Sequence, residues 1–259
     1  MYETGGEEGS GFHVFNLAPD QYHRAQVLQR TRAIDITCEL EKVIHGALSA
    51  DSDYYATLMV MRWDFQPRNG RRISEATIEL LFQDASDGGS IQVERISFDG
   101  GYTKVGTSQM ADINFGYKWE KTVIKETSDA ITLSGGRRLV NNRPPNRIAK
   151  WTISENETQP TGIPASLKIA VLVSREDQKK FYCKPALTCK TDKRTATESL
   201  FRKIPKDDHI IFQPMPHEAG TYPNKNVIYG DTELGKTDLD KIGDVIFRTL
   251  VTDAQKLRQ

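Results

Sequence analysis

From Tyr55 to Cys189, large apolar side chains return at every second position in segment after segment, and glycine, asparagine and proline mark the breaks between segments. A period of two is the repeat of an extended strand, whose alternate side chains point to opposite faces. A sheet with one apolar face must bury it against another layer. Tyr55 to Phe65 is a β-branched and aromatic run that ends at the turn Pro67-Arg68-Asn69-Gly70. Ile73, Ile78, Leu80 and Phe82 share one face, with Thr77, Glu79 and Leu81 between them. Asp87-Gly88-Gly89 and Asp99-Gly100-Gly101 bracket a strand with Ile91, Val93, Ile96 and Phe98. Ile113, Phe115, Tyr117 and Trp119 form the next stripe, and Ile131 with Leu133 a partner strand closed by Gly135-Gly136. Ile148 to Ile153 carries Trp151. The clearest alternation is Leu167, Ile169, Val171 and Val173, with Phe181 to Cys189 expected to pair with it through a loop at Glu176-Asp177. About seven strands separated by turns and not by helices predict an antiparallel β-sandwich or open barrel.

The flanks read as additions to that core. Pro19-Asp20 opens a short helix to about Arg30, and Asp35 caps a second one. On that second helix Ile36, Leu40, Val43, Ile44 and Leu48 fall at spacings of three and four. Near the end, Thr237 caps a third helix, with Leu239, Ile242, Val245, Ile246 and Leu250 as its apolar stripe. The expected organisation is a disordered start at 1–11, a helical and extended segment at 12–53, a β-sandwich core at 54–213, and a loop with an amphipathic helix at 214–259.

With 35 basic and 35 acidic side chains the chain has no net charge, so it has no general attraction for nucleic acid or anionic membrane. The same neutrality permits self-association into a homo-oligomer. Residues 1–10 carry neither a basic nor an apolar signal region, and no apolar run is long enough to span a bilayer. Three scattered cysteines do not make a disulfide framework, and a reducing, cytoplasmic setting is the expectation. The sequon Asn156-Glu157-Thr158 would matter only on export.

Cys183, Cys189, His209 and His217 are the residue types that ligate zinc. Six residues along a strand, however, separate two side chains by roughly 20 Å, which excludes one shared metal. No metal or other cofactor is therefore expected. The paired glycines precede strands, whereas a phosphate loop leads into a helix, so they read as hairpin turns. Nucleophile elbows and paired histidines are missing, which leans against an enzyme. Two arginine clusters remain as candidate anion grips: Arg137, Arg138, Arg143 and Arg147, in a stretch without acids, and Arg71 with Arg72. Trp63, Phe115, Trp119 and Trp151 are candidates to line an apolar cavity between sheets.

Trp63-Asp64-Phe65, Arg71-Arg72-Ile73-x-x-Ala76-Thr77-Ile78, Trp151-Thr152-Ile153-x-Glu155-Asn156, Thr161-Gly162-Ile163-Pro164 and Leu167-x-x-Ala170-x-Leu172 together resemble an uncharacterised family of β-rich proteins from filamentous fungi. The resemblance spans roughly residues 55 to 175 and implies a fungal, cytosolic protein. That family has no established activity, cofactor or catalytic residue, so no function carries over. The first expectation is a non-enzymatic binding or interaction module for a protein or glycan partner. The alternatives are a small-molecule carrier or non-hydrolytic enzyme with an apolar cavity, and a self-assembling structural protein.

Overall fold

The computed structural model describes residues 14–31, 34–67, 71–85, 90–106, 130–156, 161–191, 207–216 and 225–247. In chain order the strands are β1 (Gln26–Thr31), β2 (Ile34–Ala47), β3 (Tyr55–Pro67), β4 (Ile73–Asp84), β5 (Gln92–Ile96), β6 (Gly101–Gly106) and β7 (Ala130–Val140). β8 (Arg143–Ser154), β9 (Ser166–Arg175), β10 (Phe181–Thr191), β11 (Ile210–Phe212), β12 (Val227–Asp231) and β13 (Asp244–Ile246) follow. They form two open sheets. One is ordered β1-β2-β3-β9-β13, with β12 also on β2 and β5 also on β9; the other is ordered β11-β10-β4-β8-β7-β6. Pairing is antiparallel except for β12, which runs parallel to β2.

The alternation explains the packing. In β4, Ile73, Ala76, Ile78, Leu80 and Phe82 are buried while the residues between Ala76 and Phe82 are partly exposed. They meet Met59, Met61, Trp63, Leu167, Ile169, Val171 and Val173 of the facing sheet in one continuous apolar interior. Burying each large apolar side chain contributes about 1.5–3 kcal/mol before ordering entropy is subtracted. β3 and β9 are buried on both faces. Ala56, Leu58, Ala170 and Leu172 turn outward and are covered by Leu234 and Leu239 of the C-terminal segment.

That cover is not a helix. Among the described residues the only helical element is a 3-10 turn at Leu234–Lys236, with Thr237 at its C-terminal end. Asp244–Ile246 is strand β13, paired with β9, and Leu250 lies outside the described residues. The two N-terminal helices are not formed either: Pro19-Asp20 is a turn, Gln26–Thr31 is strand β1 and Ile34–Ala47 is strand β2. The Asp35 to Leu48 stretch misled because β2 carries a bulge: pairing with β3 slips between Leu40 and Lys42. Ile34, Ile36, Cys38 and Leu40 alternate as buried residues, and the extra residue then places Val43 three positions on. A bulged strand thereby imitates helical spacing. In β1 a similar slip between Gln26 and Leu28 buries Val27 and Leu28 side by side.

One pairing and one turn also differ from expectation. β10 does not pair with β9, because β3 occupies one edge of β9 while β5 and β13 share the other. The 176–180 turn instead carries the chain across to the second sheet, where β10 lies between β4 and β11. Gly135-Gly136 is no turn but lies inside β7. There Gly135 N–H donates to Phe98 O at 2.9 Å, and an added Cβ would stand 2.6 Å from that oxygen. The hairpin turn is Asn141-Asn142, both at positive φ, a two-residue connection suited to strand twist. Gly100, at φ 93, does turn between β5 and β6, and Gly88-Gly89 lies outside the described residues.

Candidate functional site

At one end of the sandwich the interior changes from apolar to polar while the strand phase continues. On β9 the inward series Leu167, Ile169, Val171 and Val173 ends in Arg175, which is 1% exposed. On β2 the residue after Ile44 on the inward side of Val43 is His45, and its register partner on β3 is Thr57. Both are buried. His23, just before β1, is buried against Phe212 of the other sheet, with ring centres 5.6 Å apart.

These groups form one hydrogen-bonded chain whose direction follows from its last donor. The Gln213 backbone N–H points at His23 Nε2 from 3.2 Å, so that nitrogen is an acceptor and His23 carries its proton on Nδ1. His45 Nε2, 2.9 Å away, then donates to it. His45 Nδ1 is consequently unprotonated and accepts from the Thr57 hydroxyl at 2.8 Å. Thr57 Oγ1 in turn accepts from Arg175 Nη2 at 3.0 Å.

Burial keeps both imidazoles neutral at neutral pH: it lowers His23 to about 4 and, helped by electrostatic repulsion from His23 and Arg175, lowers His45 to about 2. Burial also lowers Arg175 to about 10, which leaves it a cation at neutral pH. Its other contacts are Asp177 O, which accepts from Nη1 at 3.0 Å, and the Phe181 ring, whose centre lies 4.9 Å from Cζ. No carboxylate among the described residues forms an ion pair with it, and its Nε is buried without a hydrogen-bond partner.

Over this floor lies a cleft of about 420 Å³ between Ala47, Tyr55, Gln178, Pro214, Pro216 and the β12 segment. Tyr229 of β12 stacks on His45 with ring centres 5.3 Å apart, and its hydroxyl donates to Gln213 O at 3.3 Å. β12 reaches this place because Gly46 has no side chain: a Cβ there would stand 1.8 Å from Asp231 O.

The sequence candidates lie elsewhere. Arg137, Arg138, Arg143 and Arg147 are on the β7–β8 hairpin, where Arg137 pairs with Asp99 at 3.1 Å and donates to Glu94 O at 2.6 Å. Arg138 and Arg143 are exposed, and Arg147 is half-buried. Arg71 and Arg72 precede β4, with Arg72 paired to Glu155 at 3.0 Å. Because Leu81 faces Ile148 while Glu75 faces Ser154, the two clusters sit at opposite ends of the sheet, about 30 Å apart at the rise of a strand. Trp63 and Trp151 are fully buried in the interior; Phe115 and Trp119 lie outside the described residues. Cys183 and Cys189 both sit on β10 facing inward, and burial raises both thiols, Cys189 to about 12. His209 is exposed and His217 lies outside the described residues. Among the described residues no three metal-ligating side chains are grouped to hold an ion, and no helix is long and apolar enough to cross a membrane.

Sequence reasoning singles out neither Arg175, which directly precedes the expected Glu176-Asp177 loop, nor His45, which falls within the expected second helix. Phase is a signal for Arg175, which occupies the next inward position after Leu167, Ile169, Val171 and Val173, whereas the bulge after Leu40 hides the phase of His45. Fold and cleft together define a mainly β protein of two open, facing sheets with a polar mouth at one end. Neither protein-family models nor curated sequences give a match to the chain.

Proposed function

We propose that the chain is a non-enzymatic recognition module that takes a small group of a protein or glycan partner into the cleft between β2, β12 and the 176–180 turn. The observation that carries this reading is the cleft itself, in which two tyrosines and two prolines stand over convergent buried polar groups. Mostly apolar walls with a few fixed polar groups are the usual composition of a ligand site. Recognition is favoured over chemistry because the imidazoles are tied to each other and to Thr57 and held neutral, while the thiols are buried. A small molecule held between the sheets has less support, since Trp63 and Trp151 are packed inside a continuous core.

Screening a panel of short peptides and oligosaccharides against the full chain and against Tyr229→Ala tests the reading. The expected result is at least one binder that loses about tenfold or more in affinity in the variant, with the circular dichroism spectrum unchanged. A panel with no binder, or binders indifferent to Tyr229→Ala, would refute it.

A further inference from the structure

We infer that the group seated in the cleft carries a carboxylate, held by the Arg175 guanidinium at the cleft floor with the rest of the group lying against Tyr55 and Tyr229. The inference rests on the cleft being the recognition site, and it adds the ligand's chemical class. A guanidinium taken out of water is costly unless an anion compensates it. Arg175 is buried and has no ion-pair partner among the described residues. The carboxylates of Asp177 and Asp84 act on it only through their field.

The donor inventory is also incomplete. Arginine presents five N–H groups. The structure engages Nη1 with Asp177 O and Nη2 with Thr57 Oγ1, and leaves Nε without a partner. A planar fork with donors to spare matches the two oxygens of a carboxylate.

The surroundings set the charge of the ligand. Besides Arg175, the cleft lining holds one ionised side chain, Asp231, which is exposed at the rim. His45 faces the cleft but is neutral, and His23 lies behind it. A single buried cation balances a monoanion, whereas a phosphate dianion would need a second positive group. Such a carboxylate can come from a uronic acid at a glycan end or from the C-terminus of a peptide.

Calorimetric titration of the full chain tests this with two acid and neutral pairs: methyl glucuronide against methyl glucoside, and N-acetyltyrosine against N-acetyltyrosinamide. The expected result is that one acid binds at least about tenfold more tightly than its neutral counterpart. The pair that shows the difference identifies the source. Arg175→Gln should abolish the difference and Arg175→Lys should keep part of it. Should Arg175→Gln fail to fold, the contrast within the wild-type protein and in Arg175→Lys still decides. Neutral probes binding as tightly as the acids overturn the carboxylate while leaving the cleft reading intact. Inorganic phosphate binding more tightly than either acid also overturns the carboxylate. If none of the four probes binds at millimolar concentration, the carboxylate falls, while the cleft reading is decided by the peptide and oligosaccharide panel.

Discussion

His45 is the residue on which the polar mouth turns, because it links Arg175, through Thr57, to His23. Its neutrality gives stability a pH dependence whose sign follows from where protons bind. In the unfolded chain both histidines take up protons near the ordinary value of about 6.5. In the folded chain His23 does so only at about 4 and His45 at about 2. Between these values the unfolded state holds more protons, so stability falls as pH drops below about 6.5, by up to about 1.4 kcal/mol per pH unit for each histidine. Melting temperatures between about pH 7.5 and pH 5, above the range in which most carboxylates titrate, should therefore decline in the wild-type protein and decline less in His45→Gln. Equal slopes in the two proteins would show that the buried pair is not the cause.

At the scale of single elements, β12 is the piece whose position depends most on one residue. Gly46→Ala places a methyl group where Asp231 O now lies, and overpacking of this kind costs about 1–3 kcal/mol. The expected outcome is faster amide hydrogen exchange across Val227–Asp231, with the β3 and β9 amides still protected. Uniform loss of protection would contradict a local effect. The strands themselves were largely legible in sequence: β3, β4, β8 and β9 follow the stripes of Tyr55 to Phe65, Ile73 to Phe82, Ile148 to Ile153 and Leu167 to Val173. What was not legible has physical causes. The bulge after Leu40 produces helix-like spacing within one strand, and the partner of β10 depends on which strand edges are already filled, information that no local pattern holds. The cleft was illegible for the same reason, since Tyr229 meets His45 only through a parallel pairing of segments far apart in the chain. Arg175 alone left a local trace, as a charge on the inward phase of the strongest apolar stripe.

Across the whole molecule, the two sheets are joined by a buried polar stitch as well as by apolar contact. Ser97, fully buried, receives the Trp151 Nε1 hydrogen bond from the second sheet at 2.8 Å on its carbonyl. Its backbone N–H donates to Ala170 O at 2.9 Å, and its hydroxyl accepts from Ala170 N–H at 3.0 Å in the first sheet. Trp151→Phe keeps an aromatic ring but removes the donor, leaving the Ser97 carbonyl unpaired and a small void. The expected loss is about 1–3 kcal/mol in urea-induced unfolding. A loss below about 0.5 kcal/mol would mean that the stitch is energetically idle. The parallel seat of β12 has a consequence of another kind. One wall of the cleft is a short, late segment laid onto a finished sheet, with Ile228, Gly230 and Asp231 turned to solvent. If the cleft is the recognition site proposed above, substitutions at Ile228 or Asp231 would alter what the mouth accepts without touching the interior, so selectivity in this architecture could diverge while the sandwich beneath stays the same.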